Sequence, residues 1–318
     1  MIPKKKIRII YAAGIHSGGG LFVLNYLKKD MKVNEDIIYL DERLKKDHFF
    51  NKFKVIIIKN NFFSKLYSEF KIKKEIDKGI KEIIFLNGLP PIFKYQSNVI
   101  AYFQNANVLN FTNKFDKIIS SNLLRSLKFF FFKKNVNKWI VFSQSAEVQL
   151  KKLIKKKLIY KEKICIKIKR KKREKKIYDF IYPANGASHK NHKNLIKAFI
   201  ILSKLKIFPR LLITLNKVDI VKFKVTYLVN KFQLKIVNKP NNDREKFLKN
   251  YNKSKALIFP SYSETLGLPL MEAQKFGIDI LASDRNFAKE YTSKERLFNP
   301  THPRDIANKI IEYIDSKK

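Results

Sequence analysis

Two glutamates, Glu264 and Glu272, stand eight positions apart in the segment of this sequence richest in chemistry, ALIFPSYSETLGLPLMEAQKFGIDILASD (256–284). An ionised carboxylate accepts hydrogen bonds from vicinal hydroxyls, so each glutamate suits a sugar or ribose diol. Between them, Gly267-Leu268-Pro269 opens a helix behind a buried strand that ends at Pro260. The amides near Thr265, Leu266 and Gly267 point outward at that helix start and offer a seat for a phosphate or a sugar oxygen. Taken alone, the two acids have a plainer account: Glu264 as a helix-start acid favoured by the dipole, Glu272 as a surface residue. A second feature is AAGIHSGGG (12–20), where Gly18, Gly19 and Gly20 let backbone approach a ligand closely. A flexible turn would read the same way, and the spacing is not the G-x-G-x-x-G of a dinucleotide fingerprint.

The elements that must position these residues alternate along the chain. Apolar runs at 7–13, 36–40, 54–58, 82–86, 99–103, 139–142 and 164–168 predict strands, with helix-like stretches at 18–29, 64–78, 117–134 and 145–157. After a basic block, IKRKKREKK (168–176), strands recur at 178–182, 210–215, 234–238, 256–259 and 278–282. Helices fit 190–205, 243–253, 267–276 and 303–315. Strand, helix, strand in repetition predicts α/β domains with mostly parallel sheets covered on both faces. The length, 318 residues, suits two such domains.

The formal charge is +41, from 68 Lys+Arg against 27 Asp+Glu. That creates a strongly positive surface field and invites an anionic partner: nucleic acid, anionic lipid or a phosphorylated substrate. Abundant Lys, Ile, Asn and Phe is also what an AT-rich genome produces, so charge alone names no partner. A reader motif for nucleic acid is missing, and that reading leaves the glutamate helix unexplained. The lone cysteine, Cys165, allows no internal disulfide and suits a reducing cytosol. No apolar run approaches the ~20 residues that span a bilayer. The lysine-led start MIPKKKIRIIYAAGIH mimics a signal peptide, but Arg8 interrupts the apolar stretch, and it reads as a first strand. The segment SSNLLRSLKFFFFKKNVNKW (120–139) mixes phenylalanine with lysine and arginine on a helix. It fits either a segment resting on anionic lipid or a core-facing helix with a basic outer face.

The segment 256–284 resembles the signature of glycosyltransferase family 4, the group 1 glycosyltransferases: P-S-x-x-E-x-x-G-L-P-x-x-E-A, then G-x-x-x-x-x-S-D. Pro260, Ser261, Glu264, Gly267, Leu268, Pro269, Glu272, Ala273, Gly277, Ser283 and Asp284 meet every position. The resemblance implies that Glu272 binds the nucleotide ribose, that Glu264 lies against the donor sugar, and that the amides of Thr265, Leu266 and Gly267 face the sugar and diphosphate. The stretch YPANGASHKNHKNLIKAF (182–199) looks like the place of the family's diphosphate-binding lysine, which falls on Lys190. Asn185 occupies the place of an arginine common in the family, and His189, His192 and Lys193 are the nearby groups that could replace it. By the same resemblance Gly18, Gly19 and Gly20 face the donor diphosphate. The family's N-terminal histidine has no counterpart: the corresponding strand ends carry Asn87, Gln104 and Asn105, amides that cannot act as bases.

The resemblance implies the GT-B fold, two facing Rossmann-like doubly wound domains with a cleft between them. The expected division is 1–169 for an acceptor domain, 170–177 for a basic linker and 178–302 for a nucleotide-sugar domain. Residues 303–318 form a C-terminal helix able to cross back to the first domain. The implied activity is that of a retaining, metal-independent hexosyltransferase with a nucleoside-diphosphate sugar as donor. The implied acceptor is a glycan or lipid-linked molecule of bacterial surface polysaccharide, such as lipopolysaccharide, O-antigen or capsule. No carboxylate is placed as a nucleophile, so front-face attack is expected, with Lys190 and Glu264 as the catalytic pair. One cysteine, few histidines and no D-x-D pair predict no metal and no cofactor. The expected location is cytoplasmic, peripheral on the inner face of an anionic membrane, without nucleic acid. The rival readings are a nucleic-acid-binding protein, a same-fold sugar-nucleotide epimerase and an inactive scaffold.

Overall fold

The computed structural model describes residues 7–75, 79–104, 121–155, 158–162, 174–240 and 244–318. The chain divides into two compact units, Met1–Ile164 and Cys165–Lys318. The first holds strands β1 (Ile7–Ala12), β2 (Asp36–Asp41), β3 (Lys54–Ile58), β4 (Ile80–Phe85), β5 (Asn98–Tyr102), β6 (Lys138–Val141) and β7 (Ile159–Lys161). Its helices are α1 (Gly18–Leu27), α2 (Phe62–Glu75), α3 (Ser121–Phe132) and α4 (Gln144–Lys151). All strand pairs are parallel, in the order β3-β2-β1-β4-β5-β6-β7. Parallel strands covered on both faces need near-continuous apolar runs, which is why Ile9, Ile10, Tyr11 and Ala12 of β1 are all buried. Trp139 of β6 is fully buried between Phe103 and Phe129.

The second unit holds β8 (Tyr178–Tyr182), β9 (Leu211–Ile213), β10 (Ile236–Asn238), β11 (Ser254–Phe259), β12 (Asp279–Ser283) and β13 (Leu297–Phe298). Its helices are α5 (His192–Lys204), α6 (Lys217–Lys222), α7 (Val225–Phe232), α8 (Arg244–Asn252), α9 (Leu268–Phe276) and α10 (Pro303–Asp315). The sheet is again parallel, in the order β10-β9-β8-β11-β12-β13. Both sheets reverse direction of growth beside their first strand, at β1/β4 and at β8/β11, so each is doubly wound.

The expected elements match closely, with particular differences. The expected strand 164–168 lies outside the described residues, as does most of the basic block. The seventh strand is β7, a three-residue edge with Tyr160 exposed, too short and polar to show as an apolar run. Helices α6 and α7 and strand β13 are additions; each is eight residues or fewer. The C-terminal helix is a layer of the second unit. Ile306, Ala307, Ile310 and Tyr313 form its one apolar face, all buried in that unit's core, and Tyr313 packs on Phe180 of β8.

Candidate active site in the second unit

The signature residues gather at the carboxyl ends of β8 and β11, the switch point of the second sheet. In doubly wound folds that is where ligands bind. β8 ends at Tyr182 and runs into the turn that carries Lys190; β11 ends at Phe259 and runs into the turn that carries Glu264. Adjacent parallel strands thus bring together two residues 74 positions apart. Lys190 Nζ lies 2.5 Å from Glu264 Oε1, with side chains 16% and 11% exposed. Ser261 Oγ donates to the same oxygen at 2.8 Å. Among the described residues nothing bonds to Glu264 Oε2, which leaves that oxygen able to accept from a hydroxyl.

Buried hydrogen bonds fix both turns. Tyr182 Oη donates to the Lys190 carbonyl at 2.5 Å and lies 3.3 Å from Ser261 Oγ. Tyr262 N donates to the His189 carbonyl at 2.8 Å, stitching one turn to the other. Asn191, in the left-handed region at φ 60°, donates through Nδ2 to the carbonyls of Pro260 and Pro300 at 3.0 and 2.7 Å. An asparagine tolerates that backbone conformation better than most residues, and here its amide engages two carbonyls, that of Pro300 shared with Asn194 Nδ2 at 3.0 Å.

Glu272 is 3% exposed on α9, which overturns its plain reading as a surface residue. Tyr251 of α8, itself fully buried and stacked on Phe276, donates to Glu272 Oε2 at 2.5 Å. A buried carboxylate is retained where hydrogen bonds hold it, and this one has a fixed direction. Gly267 precedes α9 with φ 62°, a conformation that L side chains strain to adopt. Thr265, Leu266 and Gly267 therefore form the bend before the helix instead of its first turn. Among the described residues, no backbone bond engages the amides of Leu266 and Gly267.

The neighbours of Lys190 sort by burial. His192, offered as a substitute donor, is 1% exposed and its Nε2 is 2.9 Å from the Asn185 carbonyl. Burial depresses its pKa to about 4, so it is a neutral packing residue. Burial, then the charge of Lys190, also lowers the pKa of His189. Asn185 is exposed, and its Oδ1 accepts from Ala187 N at 3.3 Å. Lys193 points outward on α5.

In the first unit, Gly18, Gly19 and Gly20 form the opening turn of α1 at the carboxyl end of β1. Gly18 needs its φ of 61°. A Cβ on Gly20 would come within 2.7 Å of Ile15 Cδ1, so that glycine serves close packing. Nothing lies within 4 Å of a Cβ on Gly19. Composition gave no sign of the buried Asp41 beside this turn. It accepts from Gly14 N at 2.8 Å and from Arg43 Nε and Nη2 at 2.6 and 2.8 Å. Asn87 and Gln104 lie two residues beyond the ends of the paired strands β4 and β5; Asn105 lies outside the described residues. Among the described residues there is no cluster of metal-ligating side chains.

Residues 162–318 match the family model of the glycosyl transferases group 1. No curated protein matches the chain by sequence. Among solved structures, Anabaena HepE in complex with UDP and glucose superposes with a TM-score of 0.70 at 14% identity, over 98% of this chain and 90% of that one. The lipopolysaccharide outer core galactosyltransferase WaaB gives 0.66 at 13% identity, over 98% and 91%. A mutant of S. aureus TarM in complex with fondaparinux, alpha-GlcNAc-glycerol and UDP gives 0.61 at 15% identity, over 81% of this chain but 52% of that longer one. These likenesses establish the GT-B fold, two Rossmann-like units. With the signature of 256–284 seated at the switch point of the second sheet, residues 162–318 of the chain form a group 1 glycosyl transferase domain.

Proposed function

We propose that the protein is a retaining glycosyltransferase that moves a hexose or related sugar from a nucleoside-diphosphate sugar to a glycan or lipid-linked acceptor of bacterial surface polysaccharide. The observation that carries this reading is the Lys190–Glu264 pair at the β8/β11 switch point, with Glu272 fixed by Tyr251 on the helix that follows. The UDP and glucose of HepE and the lipopolysaccharide role of WaaB support the donor class and the setting.

In this reading Glu272 accepts from the ribose diol. The bend of Thr265, Leu266 and Gly267 faces the donor sugar and diphosphate, and Glu264 Oε2 accepts from a sugar hydroxyl. Gly18, Gly19, Gly20 and Asn185 are the further donor contacts implied by the family pattern. The acceptor hydroxyl attacks the anomeric carbon on the face that the diphosphate leaves. The C1–O bond to phosphate breaks, the new glycosidic bond forms on the same face, and the acceptor's proton passes to the departing phosphate oxygen. Charge grows on the leaving nucleoside diphosphate, and Lys190 offsets it without a metal.

The experiment is incubation with UDP-, GDP- and ADP-sugars, each first screened for a rise in melting temperature. NMR of the product follows, with and without EDTA. A product with the donor's anomeric configuration, formed equally in EDTA, is expected. An inverted product, or turnover abolished by EDTA and restored by a divalent ion, would refute the mechanism. Epimerised nucleotide sugar without transfer would favour the epimerase reading.

A further inference from the structure

Two helices of the first unit are apolar on their outward faces as well as inward. On α2 the buried side carries Ile72 together with Ser68 and Glu69, the last only 1% exposed. The opposite side, at i, i+4 and i+7, carries Phe63, Tyr67 and Phe70, all exposed, with Phe63 at 79%. On α3 Ser126 and Phe129 are buried, the latter against Trp139, whereas Leu124, Leu127 and Phe131 form an exposed stripe at i, i+3 and i+7, with Phe131 at 70%. Hydrogen bonds hold the polar inner sides. Ser68 Oγ meets Tyr11 Oη at 2.9 Å. Glu69 accepts from Ile92 N at 2.6 Å and from Lys128 Nζ at 2.8 Å. That last bond ties α3 to α2, so the two stripes belong to one linked pair of helices. A protein that buries a glutamate while exposing six large apolar side chains has an outward face fitted to something other than water.

We infer that the outer face of α2 and α3 is a docking surface for an anionic lipid bilayer. Charge selects this occupant. Residues 121–135 contain no acid, and beside Lys128, which is taken up by Glu69, they carry Arg125, Lys133 and Lys134. On α2, Lys71, Lys73 and Lys74 are exposed beside the aromatic stripe. Lys74 Nζ sits 4.8 Å from the Phe70 ring centre and Lys133 Nζ 4.5 Å from that of Phe130. Aromatic rings interleaved with lysines suit the headgroup boundary, where the ring is buried and the ammonium meets phosphate. A second copy of the chain would bring another +41 against the same face, and like charge opposes that pairing. The inference deepens the reading of an enzyme with a lipid-linked acceptor, since it names the side chains that hold it at the membrane.

The test is sedimentation of the full chain with vesicles of phosphatidylglycerol or phosphatidylcholine, at low salt and at about 0.5 M NaCl, where the Debye length falls to a few ångströms. Binding to phosphatidylglycerol alone is expected, with a salt-resistant fraction. Phe63→Ser/Tyr67→Ser and Leu124→Ser/Phe131→Ser should each lower that fraction about tenfold or more with an unchanged melting temperature. Phe131→Trp should shift its emission to the blue on phosphatidylglycerol vesicles, while the buried Trp139 does not respond. Variants that bind like the parent would overturn the inference. So would equal binding to both lipids, or a solution dimer that the serine variants abolish. Nucleotide binding is scored separately on the same variants, so failure of the donor reading and failure of this one remain distinct.

Discussion

Lys190 Nζ and Glu264 Oε1 are 2.5 Å apart, and each is held from behind: the lysine through its carbonyl by Tyr182, the glutamate by Ser261. The pair keeps a cation beside the proposed diphosphate seat without a solvated search for it. Lys190→Ala is expected to lower kcat by on the order of a hundredfold or more while changing donor affinity far less, because charge on the diphosphate grows toward the transition state. Steady-state kinetics with calorimetry of donor binding check this. A change confined to KM would assign the lysine to uniform binding.

Glu272→Ala should abolish binding of the free nucleoside diphosphate while the protein remains folded. Each charge-assisted bond to a ribose hydroxyl contributes roughly 1.5–3 kcal/mol, so losing two weakens affinity by about a hundredfold or more. Tyr251→Phe should fall between parent and Glu272→Ala, since the carboxylate stays but loses the 2.5 Å bond that directs it. Calorimetry on both variants decides, and parent-like affinity in Glu272→Ala would remove this residue from the site.

Tyr182→Phe removes a hydroxyl that touches the Lys190 carbonyl and Ser261 but no proposed substrate atom. A loss of about 1 kcal/mol in stability is expected from the lost hydrogen bond. If the tyrosine positions the pair, kcat also falls and KM holds. A loss of stability alone, with kcat intact, would limit Tyr182 to a packing role.

How much of this was legible beforehand depended on whether a residue's neighbours are near in sequence. The strands of both sheets were readable because burial on two faces forces apolar runs, as in IRIIYA and SKALIF. Glu264, Glu272 and Lys190 were readable through the family resemblance. Their supports were not: Tyr251 meets Glu272 from another helix, and Tyr182 reaches Ser261 across 79 positions. Asp41 carries no mark in the sequence, because Gly14 and Arg43, which explain its burial, meet it only in the fold. The sequence of α3 is compatible with a lipid-facing or a core-facing helix; on α2 the buried Glu69 beside Ile72 becomes intelligible only through Ile92 and Lys128, which are distant in sequence.

His192 supplies a pH test of the site's scaffold. Its ring is buried between Tyr182 and Phe223, and desolvation holds its pKa near 4 against an ordinary 6.5. Between those values the unfolded chain binds the proton and the native chain does not, so stability rises with pH. The contribution is complete above pH 6.5 and is lost as the pH falls toward 4, for a total of up to about 3 kcal/mol. Asp41 and Asp279 have lowered pKa values and add their own losses only at still lower pH. Urea denaturation at steps from pH 4.5 to 7.5 should show this slope in the parent and a flatter one in His192→Gln, whose amide can still donate toward the Asn185 carbonyl. Equal slopes in the two proteins would mean that His192 takes up a proton as readily in the native state as in the unfolded chain, and the packing of β8 against α5 would then have to admit a charge.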